Sequence, residues 1–155
     1  MKKSILLLMI LSLIPIMQQT THAAGADHSP VGYWKTIDKS GKERSVVKIW
    51  AEPDGTLKGR VEKIFNRQGE PENPNCIKCT GDKKDKPVIG MVFLWGFKGS
   101  GLHWKDGKIL NPKNGKVYNC ELDVNESGEK LEVFGFIRTL FKIGRTQTWY
   151  RQASL

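Results

Sequence analysis

The chain predicts an all-β fold, an antiparallel up-and-down β-barrel of about eight short strands. Three observations predict it. Apolar and polar residues alternate with a period of two through most segments. Turn clusters of Gly, Asn, Asp and Pro recur about every eight to twelve residues. No segment after the N-terminal leader carries a helical apolar stripe. Consecutive hairpins favour a meander over a two-sheet sandwich, and eight strands enclose space for side chains or for one small ligand.

The N-terminus reads as a secretory signal peptide, residues 1–23, with cleavage between 23 and 26. Lys2 and Lys3 form a charged start, Ser4 to Met17 is apolar, and Ala23, Ala24 and Ala26 supply small residues. The apolar run is short for a membrane span, which needs roughly 20 residues. The remainder, 27–155, is one domain's worth of chain. The net charge is +9, and +7 once Lys2 and Lys3 are removed. Such a surface is drawn to anionic material such as envelope polymers or phospholipid headgroups. Export, together with the lack of a basic helix or an RNA-type aromatic signature, argues against nucleic acid.

The first strand is Val31 to Ile37, with Gly32 and Trp34 on one face. A turn at Asp38–Gly41 leads to Ser45–Ala51, where Val47, Ile49 and Ala51 share a face. Glu52-Pro53-Asp54-Gly55 turns the chain into Leu57–Phe65. There Leu57, Gly59 and Val61 face the core and Lys58, Arg60 and Glu62 face solvent. A long Pro/Asn/Lys-rich loop, 66–87, carries Cys76 and Cys79. Val88–Phe97 resumes as a strand buried on both sides, with Met91, Phe93, Trp95 and Phe97 on one face. Two short strands, Leu102–Trp104 and Lys108–Leu110, flank a turn at Lys105-Asp106-Gly107. Asn114-Gly115 marks a hairpin. Lys116–Val124 has the cleanest alternation, with Tyr118, Cys120, Leu122 and Val124 inward. Lys130–Ile137 pairs back on it. Arg145–Arg151 is the final strand, with Arg145, Gln147, Trp149 and Arg151 on one face.

Few features bear on chemistry. Cys76-Ile77-Lys78-Cys79 in an exported chain reads first as a local disulfide that staples the loop. Thiol-redox activity would need a helix N-terminus to activate one sulfur, and no helical pattern follows. A zinc site would need two further ligands, and Cys120, His28 and His103 are the other Cys and His candidates. Neither a metal nor another cofactor is expected. Cys120 alternates into the core and reads as an inert thiol. Ser100 and His103 lie close in sequence but without a nucleophile-elbow pattern, so no catalytic residues are assigned and the chain does not read as an enzyme. Arg145, Gln147 and Arg151 read best as outward, with an Arg stacked on an aromatic ring. The alternative puts Arg145 or Gln147 inside, holding an anionic or carbonyl group.

Taken in sequence, several motifs resemble those of one family. They are Gly32-Tyr33-Trp34, the Cys76-x-x-Cys79 loop, Lys86-Pro87-Val88-Ile89-Gly90, Gly107-Lys108-Ile109-Leu110-Asn111-Pro112, Asn114-Gly115-Lys116-Val117-Tyr118 and Gly144-Arg145-Thr146-Gln147-Thr148-Trp149. The family is the bacterial secreted domain of unknown function 2147 (DUF2147). Asn111 stands where that family often has Asp, and Arg138 where a small residue is commoner. The resemblance implies a lipocalin-like, calycin-type barrel. Gly32 and Trp34 on the first strand, with Arg151 or Arg145 packed on the Trp, would close it. The implied compartment is periplasmic or extracellular.

Three functional readings follow. The first is a binder of a small hydrophobic or amphipathic molecule, with Phe93, Trp95, Tyr118, Phe134 and Trp149 lining the barrel, and with Arg145 and Gln147 as polar contacts. The second is an envelope or protein-interaction module with a filled barrel and a basic surface that includes Lys83–Lys86. The third is a thiol-active envelope factor using Cys76 and Cys79.

Overall fold

The computed structural model describes residues 28–155; the leader assigned to residues 1–23 lies outside them. Eight antiparallel strands follow one another around a closed barrel. They are β1 (Gly32–Ile37), β2 (Glu43–Ala51), β3 (Leu57–Ile64), β4 (Val92–Ser100), β5 (His103–Asn111), β6 (Lys116–Val124), β7 (Lys130–Arg138) and β8 (Lys142–Gln152). The helical content of the described residues is one 3-10 turn, Gly81–Lys83. No helix among them is long and apolar enough to cross a membrane.

The two-residue period sorts side chains to the inside and outside. Trp34 faces Val47, Val47 faces Val61, and Leu122 faces Val133, all buried. Inside, Ile49, Leu57, Leu94, Phe97, Leu131 and Trp149 complete a core in which each is at most 2% exposed. Gly107 faces Phe97, whose ring takes the space a side chain would need.

The barrel closes where β1 meets β8, with Trp34 opposite Arg151. The Arg151 guanidinium lies 4.2 Å from the Trp34 ring centre. It donates hydrogen bonds to the carbonyls of Val31 (3.0 Å), Ser29 (2.8 Å) and Gly128. The indole N–H of Trp34 donates to Pro30 (2.7 Å). Gly32, at φ 130°, passes directly beneath this guanidinium, and a Cβ there would sit 3.0 Å from Nη1 in a conformation that L residues rarely adopt. Arg151, rather than Arg145, therefore packs on the Trp. We call this the seam end.

The opposite end, the mouth, carries the 38–42 turn, the long 65–91 connection, the 112–115 turn and the 139–141 turn. Asp38 organises the first of these. Its carboxylate accepts from the Ser40 hydroxyl (2.6 Å), from the Ser40 and Lys42 amides, and from Arg67 (2.5 Å). The Ser40 hydroxyl, with Arg67 and these amides, holds the carboxyl well below the usual carboxylate range.

Three expectations are corrected. The turn at Lys105-Asp106-Gly107 is a bulge within one continuous strand, because Asp106 takes φ 59° without reversing the chain. The fourth strand begins at Val92, not Val88. Residues 88–91 form a turn pinned to Val61 through Gly90 N–H (2.7 Å) and Met91 C=O (3.2 Å). Two register shifts against β3 then break the alternation of β4. Leu94 and Phe97 share the inner face, and Trp95, opposite Lys58 and Lys108, is outside.

Cys76 and Cys79 are disulfide-bonded and both are buried, at 0% and 2%. The staple presses on the β5–β6 turn. Cys76 Sγ lies 3.3 Å from the Pro112 carbonyl, and Gly115 (φ 70°) abuts the Lys78 carbonyl so closely that a Cβ would overlap it. Changing both cysteines to Ser should lower stability by about 2 kcal/mol, the loop-closure value for so short a ring, while leaving the barrel folded. Urea unfolding with circular dichroism measures it; an unchanged midpoint would show that the staple contributes nothing.

Candidate functional site

Trp149 and Phe93 meet inside the barrel with ring centres 6.2 Å apart. Together they roof the packed half and floor the mouth. Above them the inward positions become polar. Gln147, opposite Val133 on β7, accepts from the Trp149 indole N–H (3.2 Å). Thr36 and Ser45, opposite each other on β1 and β2, share a hydroxyl–hydroxyl bond of 2.8 Å. Tyr118, half-buried, accepts at its hydroxyl from the Asn114 amide (3.0 Å). Ile109 and Ile64 add apolar wall.

Arg145 is the outermost charged member of this set. It lies opposite Gly135, which in turn faces the buried Cys120. The inner face of β8 thus runs Arg145, Gln147, Trp149, Arg151, from mouth to seam. The preferred outward reading of Arg145 and Gln147 is overturned by this register. Both are nonetheless exposed, because β1 accompanies β8 only from Thr36↔Trp149 to Tyr33↔Gln152. Among the described residues Arg145 has no carboxylate or carbonyl partner.

Two residues expected to line the interior do not. Trp95 lies outside, with the Lys83 ammonium 5.7 Å from its ring centre, and walls a surface cleft of about 180 Å³ with Cys79, Leu110 and Val117. Phe134 pairs with Glu121 on the outer face and stacks on Phe136, ring centres 5.0 Å apart. Phe136 is buried there beneath Lys142, which is tied to Glu121 at 2.6 Å.

Other chemistry-bearing groups are dispersed. Ser100 and His103 face each other across the β4–β5 turn, yet His103 Nδ1 bonds Asp123 (2.5 Å) and no hydrogen bond joins Ser100 to the ring. The Cys120 thiol is free, and burial pushes it up to about 12. Lys83 is paired with Asp82 (3.3 Å), and Lys84 donates to Ile77 O and lies beside Asp85, so the Lys83–Lys86 run is partly neutralised. Sequence reasoning missed the mouth's Thr36–Ser45 pair and the tip residues Leu140 and Phe141. The signal for the tip was present, an apolar Leu-Phe between Arg138 and Lys142.

The family model described as "Uncharacterized protein conserved in bacteria (DUF2147)" matches residues 32–151. Protein HP1028 from the human pathogen Helicobacter pylori, described as belonging to the lipocalin family, is similar in structure. Its TM-score is 0.66 at 23% identity, over 80% of this chain and 83% of that one. At that identity the likeness shows the fold. No curated protein matches the chain.

Proposed function

The chain belongs to the bacterial family DUF2147, and from that premise we propose that it is an exported, non-enzymatic binding protein. It takes a small amphipathic molecule at the barrel mouth. The apolar part rests over Phe93 and Trp149 and along Ile109, and an anionic head meets Arg145. One observation supports this above the others: Arg145, at an inner-face register position four residues mouthward of the Trp149 that meets Phe93, has no acceptor of its own among the described residues. Gln147 and the Thr36–Ser45 pair supply neutral hydrogen-bonding around it. The buried disulfide agrees with an oxidising compartment, periplasmic or extracellular. It also speaks against thiol activity, since neither sulfur is open to attack.

Laurate is a suitable probe, with dodecanol as its uncharged counterpart. Wild-type protein should prefer laurate. Arg145→Ala should weaken laurate binding by about tenfold or more, the loss of one charge-assisted hydrogen bond, with thermal stability unchanged. Titration calorimetry that finds the two probes equal, or the variant unaltered, would remove Arg145 from the site. Native mass spectrometry of protein taken from its exporting compartment would show a retained lipid-sized mass. A bare protein mass together with no laurate binding would favour the second reading, a filled barrel acting through its surface. The tight packing of the seam half favours that reading.

A further inference from the structure

The β7–β8 hairpin runs on past the rim. β6 pairs with it no further than Phe136, and β1 no further than Trp149. Its last pairs, Ile137↔Ile143 and Arg138↔Lys142, have no neighbouring strand. The tip is nevertheless ordered: Thr139 N–H donates to Phe141 O (3.1 Å), and Phe141 N–H donates to the Thr139 hydroxyl (3.3 Å). This finger presents Leu140 at 95% exposure, Phe141 at 76%, Ile143 at 60% and Ile137 at 50%. A single exposed apolar side chain is ordinary; four on one projection form a patch that water disfavours.

The hairpin's own charges are of one sign. From Phe134 to Thr148 the chain holds Arg138, Lys142 and Arg145 and no Asp or Glu. The 112–115 turn at the same end, next in the barrel order, adds Lys113, and β6 opens on Lys116. Lys142 is paired with Glu121, but Arg138, Arg145, Lys113 and Lys116 have no carboxylate partner among the described residues.

We propose that this finger docks the protein on an anionic lipid bilayer. Leu140 and Phe141 enter the boundary between headgroups and acyl chains, and Arg138 and the neighbouring lysines meet the phosphates. The shape favours a bilayer over a folded protein. A convex tip of two side chains buries little area on a rigid surface, whereas fluid lipid closes around it. Charge favours it over a second copy, since two barrels that each carry +7, the chain's +9 less Lys2 and Lys3, repel. Docking holds whether or not the mouth takes a ligand.

The test uses the barrel, residues 27–155, which contains every strand of the closed sheet. Its co-sedimentation is measured with phosphatidylcholine vesicles, with and without phosphatidylglycerol. Binding should require phosphatidylglycerol and fall as salt rises. The double variant Leu140→Ser/Phe141→Ser should lose at least about tenfold in partition, and Arg138→Gln about fivefold. Both should melt like wild type, because these side chains are exposed. Three outcomes would overturn the proposal: no binding to phosphatidylglycerol vesicles, salt-sensitive binding that the tip variant retains in full, or a Phe141-dependent dimer in lipid-free sedimentation.

Discussion

Trp34→Ala should lower the stability of the barrel by about 4 kcal/mol, the range for removing a large aromatic side chain from a packed core. Trp34 is fully buried at the foot of the first strand, against Val47 and beneath Arg151. Its removal leaves a cavity at the point where the sheet closes on itself, and it strands the Pro30 carbonyl that the indole served at 2.7 Å. Equilibrium unfolding in urea reads the change, and a loss below about 1.5 kcal/mol would mean that the seam relaxes freely around the gap.

The second large effect belongs to its partner. Arg151→Met keeps an unbranched side chain of similar length over the indole and removes the guanidinium. Three backbone carbonyls, of Ser29, Val31 and Gly128, then lose a charged donor. The expected loss is about 3 kcal/mol, more than a neutral hydrogen bond would give and less than the bare sum of three charged ones, since part of the site becomes wet. A double-mutant cycle with Trp34→Phe should return a coupling of about 1 kcal/mol from the stacked pair. Zero coupling would show that the guanidinium acts through the carbonyls alone.

How far the molecule was legible in its sequence depended on how many independent signals met at a position. Lys116–Val124 was read to the residue, because alternation, a preceding Asn-Gly turn and a following Gly turn agree. Trp34 and Gly32 were assigned one face, and the structure places them so. The failures lie where one local rule has two solutions. Asp106-Gly107 carries the composition of a hairpin turn and forms a bulge, since neither residue says whether the chain reverses. In β4, Gly96 at φ 77° and the register shifts against β3 reset the alternation, so Trp95 was placed inside when it is out. β8 offers a Thr/Thr/Tyr face against an Arg/Gln/Trp/Arg face. Intrinsic polarity favours turning the first inward; packing around Trp149 turns the second inward, and of that face only Trp149 is buried. How far a hairpin outruns its neighbours is set by the lengths of β1 and β6, so the projecting finger has no local code at all.

The seam has a consequence for the order in which the strands can pair. Along this meander each strand pairs with the one just before it. β1 is the exception: its second edge must wait for β8, and the Arg151–Val31 bond joins residues 120 apart. Without the β1–β8 pairing the same strands are an open sheet with an unpaired margin at each side. Trp34 lacks its Arg151 cover until β8 docks, and the ring shuts with that pairing. The same residues that hold the finished barrel together therefore also time its completion.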